Sequence, residues 1–298
     1  MSLRDYKLIL GGGGARGFAH LGVINTLHKI KEPKKIAGCS MGGVVASLYA
    51  LYKDPVIVQS KIDFILNKTE FKRIKIDKFS KVFSSLFTVG RLFRKRHLIK
   101  AEVIMRLLED IIPKETEFSD LKIPLELVCF DMKSGRPIVL KEGRLIPAIV
   151  ASASIPGIIE PVESDDKLLT DGGVYGSVPF FICGDDLKNI VVDVTYDPPV
   201  EFDFSNALEF FYKTVEWQIY FLEKEKRNAI LKKDVLVLEP PVKRYTLKNF
   251  FNNSIIIEKG LEYSTEKEQE IKSFLKKGFF YKMKKFLKHQ GNSVKLIL

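Results

Sequence analysis

Two strand-to-helix junctions near the N-terminus, each punctuated by glycine, limit what this chain can fold into more than any other feature. The first is "LILGGGGARGFAHLGV", Leu8–Val23, where an apolar strand meets four glycines, an arginine, a further glycine and a helical pattern. Glycine at this density strips side chains from a tight turn, so backbone N–H groups can approach a negative group. The second is "AGCSMGG", Ala37–Gly43, which sets Ser40 between Gly38 and Gly42. Around them the spacing predicts a strand at Tyr6–Leu10, a helix from Phe18 to about Lys31, a strand at Lys35–Gly38 and a helix at Met41–Tyr52. Glu32-Pro33 ends the first helix. Successive βα units of this kind imply an α/β fold with a mostly parallel sheet covered by helices.

Downstream, helical spacing returns at Ala101–Ile112, and "PLELVCFDMKSGRPIVLKEG" reads as two strands joined at Lys133-Ser134-Gly135. "LIPAIVASASIPGIIEPV" reads as a small-residue helix ended at Pro156 and followed by extended chain. "KLLTDGGVYGSVPF" is a strand running into a glycine-rich turn, and "NIVVDVTYD" is a further buried strand. From about Ser205 the pattern predicts long helices, Ser205–Lys232 and Ser264–His289. No internal repeat or low-complexity linker divides the 298 residues, so one α/β domain with a helical C-terminal part is expected. No stretch of about 18 apolar residues suggests a membrane span. The opening "MSLRDYKLIL" enters a strand pattern and lacks the apolar core of a signal peptide. Three cysteines, Cys39, Cys129 and Cys183, without a CxxC pair, argue against a disulfide framework or a zinc site. A cytoplasmic location is the expectation.

Chemistry concentrates at the two junctions. Gly38-x-Ser40-x-Gly42 between a strand and a helix is the context of a nucleophile elbow, where the serine holds a strained backbone and the glycines relieve the crowding. A plain Gly/Ser turn is the other reading of the same residues. At a helix N-terminus the dipole and the Met41 N–H favour developing negative charge. Cys39 sits where its side chain turns to the core. A dinucleotide site would put an acidic residue at the end of the second strand, but Gly38-Cys39-Ser40 stands there. A P-loop would need Gly-Lys-Ser/Thr, but Phe18-Ala19 follows Gly17. Adjacent parallel βα loops open on one edge of a sheet, which places the amides of Gly12, Gly13 and Gly14 beside Ser40 as an oxyanion hole. Of the histidines, His20 reads as a packing or capping residue, His28 lies at the far end of the same helix, and His97 and His289 read as surface residues. Asp171, which ends a strand and precedes Gly172-Gly173, is the stronger candidate base, although a turn-forming Asp-Gly is the alternative. An ordinary Asp with a pKa near ~4 is a weak base, so its site would have to raise it by desolvation.

Taken together, "GGGARG" at Gly12–Gly17, "GCSMG" at Gly38–Gly42, "DGG" at Asp171–Gly173 and "ASASIPGIIEPV" at Ala151–Val162 resemble the motifs of the patatin-like phospholipase family. Order and separation fit across roughly residues 6–197. The resemblance implies a three-layer α/β/α sandwich and a catalytic domain at 6–197; the helical pattern and lysines beyond it, which match no family motif, mark a helical, basic region at 198–298. It implies a Ser40–Asp171 dyad and oxyanion donors from Gly12, Gly13, Gly14 and Met41. Arg16, Gly17, Gly38, Gly42, Gly172 and Gly173 support the motifs, with Arg16 orienting the loop or meeting a phosphate. The implied substrates are acyl esters of (lyso)phospholipids or related lipids, and no cofactor or metal is required.

The net charge of +11, from 48 Lys+Arg against 37 Asp+Glu, is unevenly spread. Residues 67–100 are strongly basic and read as an insertion or lid, and residues 271–298 hold lysines without a carboxylate. Both interleave basic and apolar side chains, as in "FLKKGFFYKMKKFLKH", which suits peripheral contact with an anionic membrane. A solvated lysine-rich face is the bland alternative. An acyltransferase serving an acidic carrier stays open as a rival, although it normally wants a histidine base. A nucleic-acid module would leave the glycine motifs unexplained, so no nucleic acid is expected.

Overall fold

The computed structural model describes residues 3–73, 97–184, 187–195, 207–230, 234–245 and 249–276. Tyr6–Leu10 forms β1, buried along its whole length, as a strand covered on both faces must be. Its residues alternate between two cores. Tyr6, Leu8 and Leu10 join the larger one, while Ile9 packs with Ala37, Val178, Phe180 and Val191 on the other face. After β1 come α1 (Ala19–Ile30), β2 (Lys35–Cys39) and α2 (Met41–Tyr52), close to the expected bounds.

The eight-stranded sheet continues with β3 (Leu125–Asp131), β4 (Arg136–Leu140), β5 (Val162–Ser164), β6 (Lys167–Asp171), β7 (Lys188–Val192) and β8 (Val235–Leu238). Strands β3-β2-β1-β7-β8 run parallel, whereas β4, β5 and β6 are antiparallel to their neighbours. The sheet is therefore mixed, its parallel part running from β3 to the edge strand β8, which the helical reading past Ser205 omitted, and its antiparallel strands lying beyond β3.

One detail of register places the site. Val128 of β3 pairs with Cys39 of β2, and the next residue, Cys129, pairs with Asp171 of β6. Because β4 takes the opposite edge of β3 at both residues, β2 and β6 share one edge. They run toward each other and stop head to head.

Helices flank both faces: α3 (Pro55–Asn67), α4 (Thr69–Arg73), α5 (Ala101–Glu109), α6 (Leu145–Ala153), α7 (Ala207–Ile230), α8 (Asn253–Glu266) and α9 (Glu268–Leu275). The unanticipated α3 begins with Pro55, and Asp54 accepts the N–H groups of Val56 at 2.8 Å and Ile57 at 3.3 Å as its N-cap. Helices α1 and α8 cross at Gly22 and Gly260, where any Cβ would strike the facing backbone. The crossing also carries a buried Thr26–Ser264 hydroxyl pair at 2.7 Å. Among the described residues no helix is long and apolar enough to cross a membrane. Residues 74–96 and 277–298, which include most of the proposed lid and basic membrane contacts, lie outside the described residues.

Candidate active site

The turn from β2 into α2 is tight enough to be restricted by carbonyl groups on both sides. A Cβ on Gly38 would collide with the Gly42 carbonyl, and one on Gly42 with the carbonyls of Leu10 and Gly11. Ser40 holds φ 53° and ψ −128°, outside the regions that L-residues favour. Its N–H is fastened to α6, donating to the Ser152 carbonyl at 3.0 Å and to Ser152 Oγ at 3.2 Å. Ser152 Oγ in turn donates to the Val128 carbonyl at 2.8 Å. Ser40 is 9% exposed, nearly enclosed by the turn.

Asp171 arrives from the other side. Its N–H donates to the Ser154 carbonyl at 3.0 Å, so the serines of "ASAS" tether both ends of the strand meeting. Gly172 then allows the chain to turn where a Cβ would sit 2.6 Å from the Val128 carbonyl and 2.9 Å from Cys39 Sγ. Asp171 Oδ1 accepts the Gly173 N–H at 2.7 Å and faces the Cys39 thiol at 3.8 Å. Oδ2 is buried with no partner of good hydrogen-bond geometry among the described residues. Burial pushes the Asp171 carboxyl up to about 6, against the Ser40 hydroxyl, the Gly173 N–H and the Cys39 thiol, which favour its charged form.

The glycine loop lies alongside. A Cβ on Gly12 would come 3.1 Å from that of Ser40, so the loop backbone packs directly on the serine. The Gly12 N–H, however, donates to the Ser177 carbonyl at 2.7 Å. This corrects the expectation that Gly12 supplies an oxyanion donor: its amide is already engaged, and its contribution is space. Gly13, Gly14 and Met41 N–H groups have no acceptor among the described residues. Gly14 takes φ 54°, and Gly17 leaves room for the Met41 side chain. Arg16 is buried, donating from Nε to the Val194 carbonyl at 2.9 Å and from Nη1 to that of Tyr245 at 3.1 Å. It is engaged in holding the loop rather than aimed at a phosphate.

No described histidine bonds to Ser40 or Asp171. His20 is fully buried with Nε2 2.7 Å from the Gly11 carbonyl, and burial lowers its pKa to about 4, so it is the neutral ring that donates there. His28 Nδ1 meets the Tyr49 hydroxyl at 2.9 Å, and His97 Nε2 lies 3.5 Å from Glu160 Oε1. His289 is outside the described residues. The sequence reading did not single out Ser152, Ser154, Ser177 or Glu223. The signal for the first two was the Ser-x-Ser spacing before Pro156, whereas nothing local marks the last two.

Residues 8–183 match the family described as patatin-like phospholipase. The chain belongs to this family. An uncharacterized NTE family protein of Mycobacterium tuberculosis is 34% identical over 179 residues, spanning 58% of this chain and 43% of that one. The lysophospholipase NTE1 of Mycosarcoma maydis is 31% identical over 174 residues, spanning 58% of this chain and 8% of that one. The patatin-like chain thus spans less than half the length of these curated relatives. Among solved structures, VipD from Legionella pneumophila aligns over 90% of this chain and 67% of its own, with TM-score 0.47 and 12% identity.

Proposed function

We propose that this patatin-like chain is a serine lipolytic acyl hydrolase that cleaves fatty-acyl esters of (lyso)phospholipids or related lipids. The observation that carries the reading is the buried Asp171 carboxyl against the Ser40 hydroxyl, with Oδ2 in no well-formed hydrogen bond among the described residues and burial raising the group to about 6. A carboxylate of that basicity is ionised at neutral pH and closer to a useful proton acceptor than a solvated one. Ser40 Oγ gives its proton to Asp171 as it attacks the ester carbonyl. The oxyanion is held by the N–H groups of Gly13, Gly14 and Met41, at the positive end of α2. Collapse expels the alcohol, which takes the proton from Asp171, and leaves acyl-Ser40. Water then gives a proton to Asp171, its oxygen attacks the acyl carbon, and the fatty acid leaves as Ser40 regains its proton.

Contact with anionic lipid through the basic stretches 67–100 and 271–298 belongs to the same proposal, supported by their charge and interleaved aromatic residues. The decisive experiment is a screen of p-nitrophenyl esters of graded chain length and of lysophospholipids, run on wild type, Ser40→Ala and Asp171→Asn. Hydrolysis by wild type alone is expected. Activity retained in either folded variant would overturn the dyad.

A further inference from the structure

Helix α7 brings to this region an acid for which the proposed reaction has no use. Glu223 Oε1 accepts the N–H of Ser177, and Oε2 is buried without a hydrogen-bond partner among the described residues. Burial pushes the Glu223 carboxyl up to about 7, with the Ser177 and Val178 amides and Lys226 opposing and Asp193 reinforcing the shift. An acid held in this way would be expensive to bury for packing alone, whereas its acceptor oxygen fixes the Ser177 N–H that would otherwise lie unsatisfied.

That partner leads to the nucleophile. The Ser177 carbonyl accepts the Gly12 N–H at 2.7 Å, and Gly12 packs on the Ser40 side chain. One continuous path therefore runs from the Glu223 carboxyl through a single residue, Ser177, to the glycine loop. Lys226, one turn further along α7, grips the same segment by donating to the Tyr175 carbonyl, its Nζ 3.9 Å from the centroid of the Tyr175 ring. Between the two grips, a Cβ on Gly176 would meet Glu223 Oε1 and Lys226 Nζ at 3.2 Å each. The gripped segment is also bound to the turn after Asp171, because the Tyr175 and Gly176 N–H groups donate to the Gly172 carbonyl at 3.0 and 3.1 Å.

We infer that Glu223 is a positioning residue: with Lys226 it latches Tyr175–Ser177 so that the glycine loop keeps its free amides aimed at the carbonyl that Ser40 attacks. The inference rests on the hydrolase reading for its consequence in catalysis, and on the hydrogen-bond path alone for the latch.

The test pairs amide exchange, followed by mass spectrometry in peptides covering 8–18 and 172–180, with turnover of p-nitrophenyl butyrate and labelling by a fluorophosphonate. Glu223→Ala should speed exchange in both peptides about 10-fold or more and lower kcat about 10–100-fold with KM within about 2-fold, as expected when oxyanion donors are misplaced rather than substrate binding lost. Glu223→Gln keeps an acceptor for the Ser177 N–H and should restore both readouts to within about 3-fold of wild type. Unchanged exchange in Glu223→Ala, or a Gln variant no better than Ala, overturns the latch. Wild type inert to both ester and fluorophosphonate, with exchange still sped by Glu223→Ala, overturns the hydrolase reading and the catalytic role but not the latch. If Glu223→Ala fails to fold, Lys226→Met releases the Tyr175 grip alone. It should speed exchange only in the 172–180 peptide and lower kcat about 3-fold; no change in either overturns the latch.

Discussion

Asp131 and Asp171 stand two residues apart in the register of β3 and β6, and their surroundings treat them in opposite ways. Asp131 accepts the N–H groups of Lys133 at 3.1 Å, Ser134 at 3.2 Å and Leu168 at 3.0 Å. Hydrogen bonding, led by the Ser134 side chain, holds its carboxyl down at about 2. Asp171 accepts one backbone N–H on Oδ1, faces the Ser40 hydroxyl and the Cys39 thiol, has no well-formed bond on Oδ2 among the described residues, and is raised to about 6 by burial. Both side chains expose little surface, but desolvation dominates at Asp171 and hydrogen bonding dominates at Asp131. Three backbone amides and the Ser134 side chain make Asp131 a structural anion, whereas at Asp171 the cost of desolvation outweighs its donors and leaves a carboxylate ready to take a proton. The glycines that follow differ in the same spirit. Gly135 takes φ +68° with nothing near its missing Cβ, whereas Gly172 is crowded by β3 and Cys39.

Exchanging each aspartate for asparagine is the strongest way to break this contrast. Asp171→Asn should lower kcat toward a soluble ester by on the order of 10⁴-fold, the scale seen when a member of a catalytic unit is removed. The same variant should gain about 2–3 kcal/mol in urea unfolding at pH 7, because a raised carboxyl is ionised there at a penalty of about 1.36 kcal/mol per pKa unit. Asp131→Asn should do the reverse, lowering Tm while leaving kcat per folded molecule within about 3-fold. Equal effects of the two would dissolve the distinction.

Titration sharpens it next. With Asp171 acting as an ionised base, kcat/KM should climb as pH rises through about 6 and at pH 4 stand roughly 100-fold below its plateau. Stability moves the other way for this group. A folded pKa above the unfolded value of about 4 makes the protein lose stability as pH rises from about 4 to 6, and Asp171→Asn should flatten that fall. Asp131, depressed in the fold, contributes stability above about pH 4 that is lost as pH drops toward 2, and Asp131→Asn should flatten that loss.

The glycines provide the smaller effects. Gly172→Ala forces a Cβ against the Val128 carbonyl and should reduce kcat about 100-fold by prising the two strand ends apart. Gly135→Ala meets open space and pays only for its left-handed backbone, about 1 kcal/mol in stability with activity unchanged. A larger activity loss at Gly135 than at Gly172 would show that closeness to β3 is not what the second turn requires.

Much of this was legible in one dimension. Four glycines after an apolar strand, a serine between two glycines before a helix, and Asp-Gly-Gly after a strand are local signals, because turn geometry is set by the residues within the turn. The bounds of β1 and α2 could be read from periodicity for the same reason. Helix α3 escaped because its apolar residues, apart from Pro55, Val58, Ile62 and Leu66, lie off that stripe at partly exposed positions and blur it. Strand β8 escaped because four residues carry too little period to separate a strand from a helical stretch. Glu223 was invisible among the alternating charges of a long helix.

The sequence alone determined which residues could react: the backbone freedom of Gly38 and Gly42 and the chemistry of Ser40 and Asp171 are intrinsic to those side chains and their immediate neighbours. Only the tertiary structure decided that β2 and β6 meet end to end on one edge of β3, bringing together residues 131 positions apart. It also decided that the Gly12 amide is taken by Ser177, that burial raises the Asp171 carboxyl, and that α7 reaches the loop through Glu223. Pairing, burial and the satisfaction of buried donors are properties of the surroundings, and the surroundings exist only once the chain has folded.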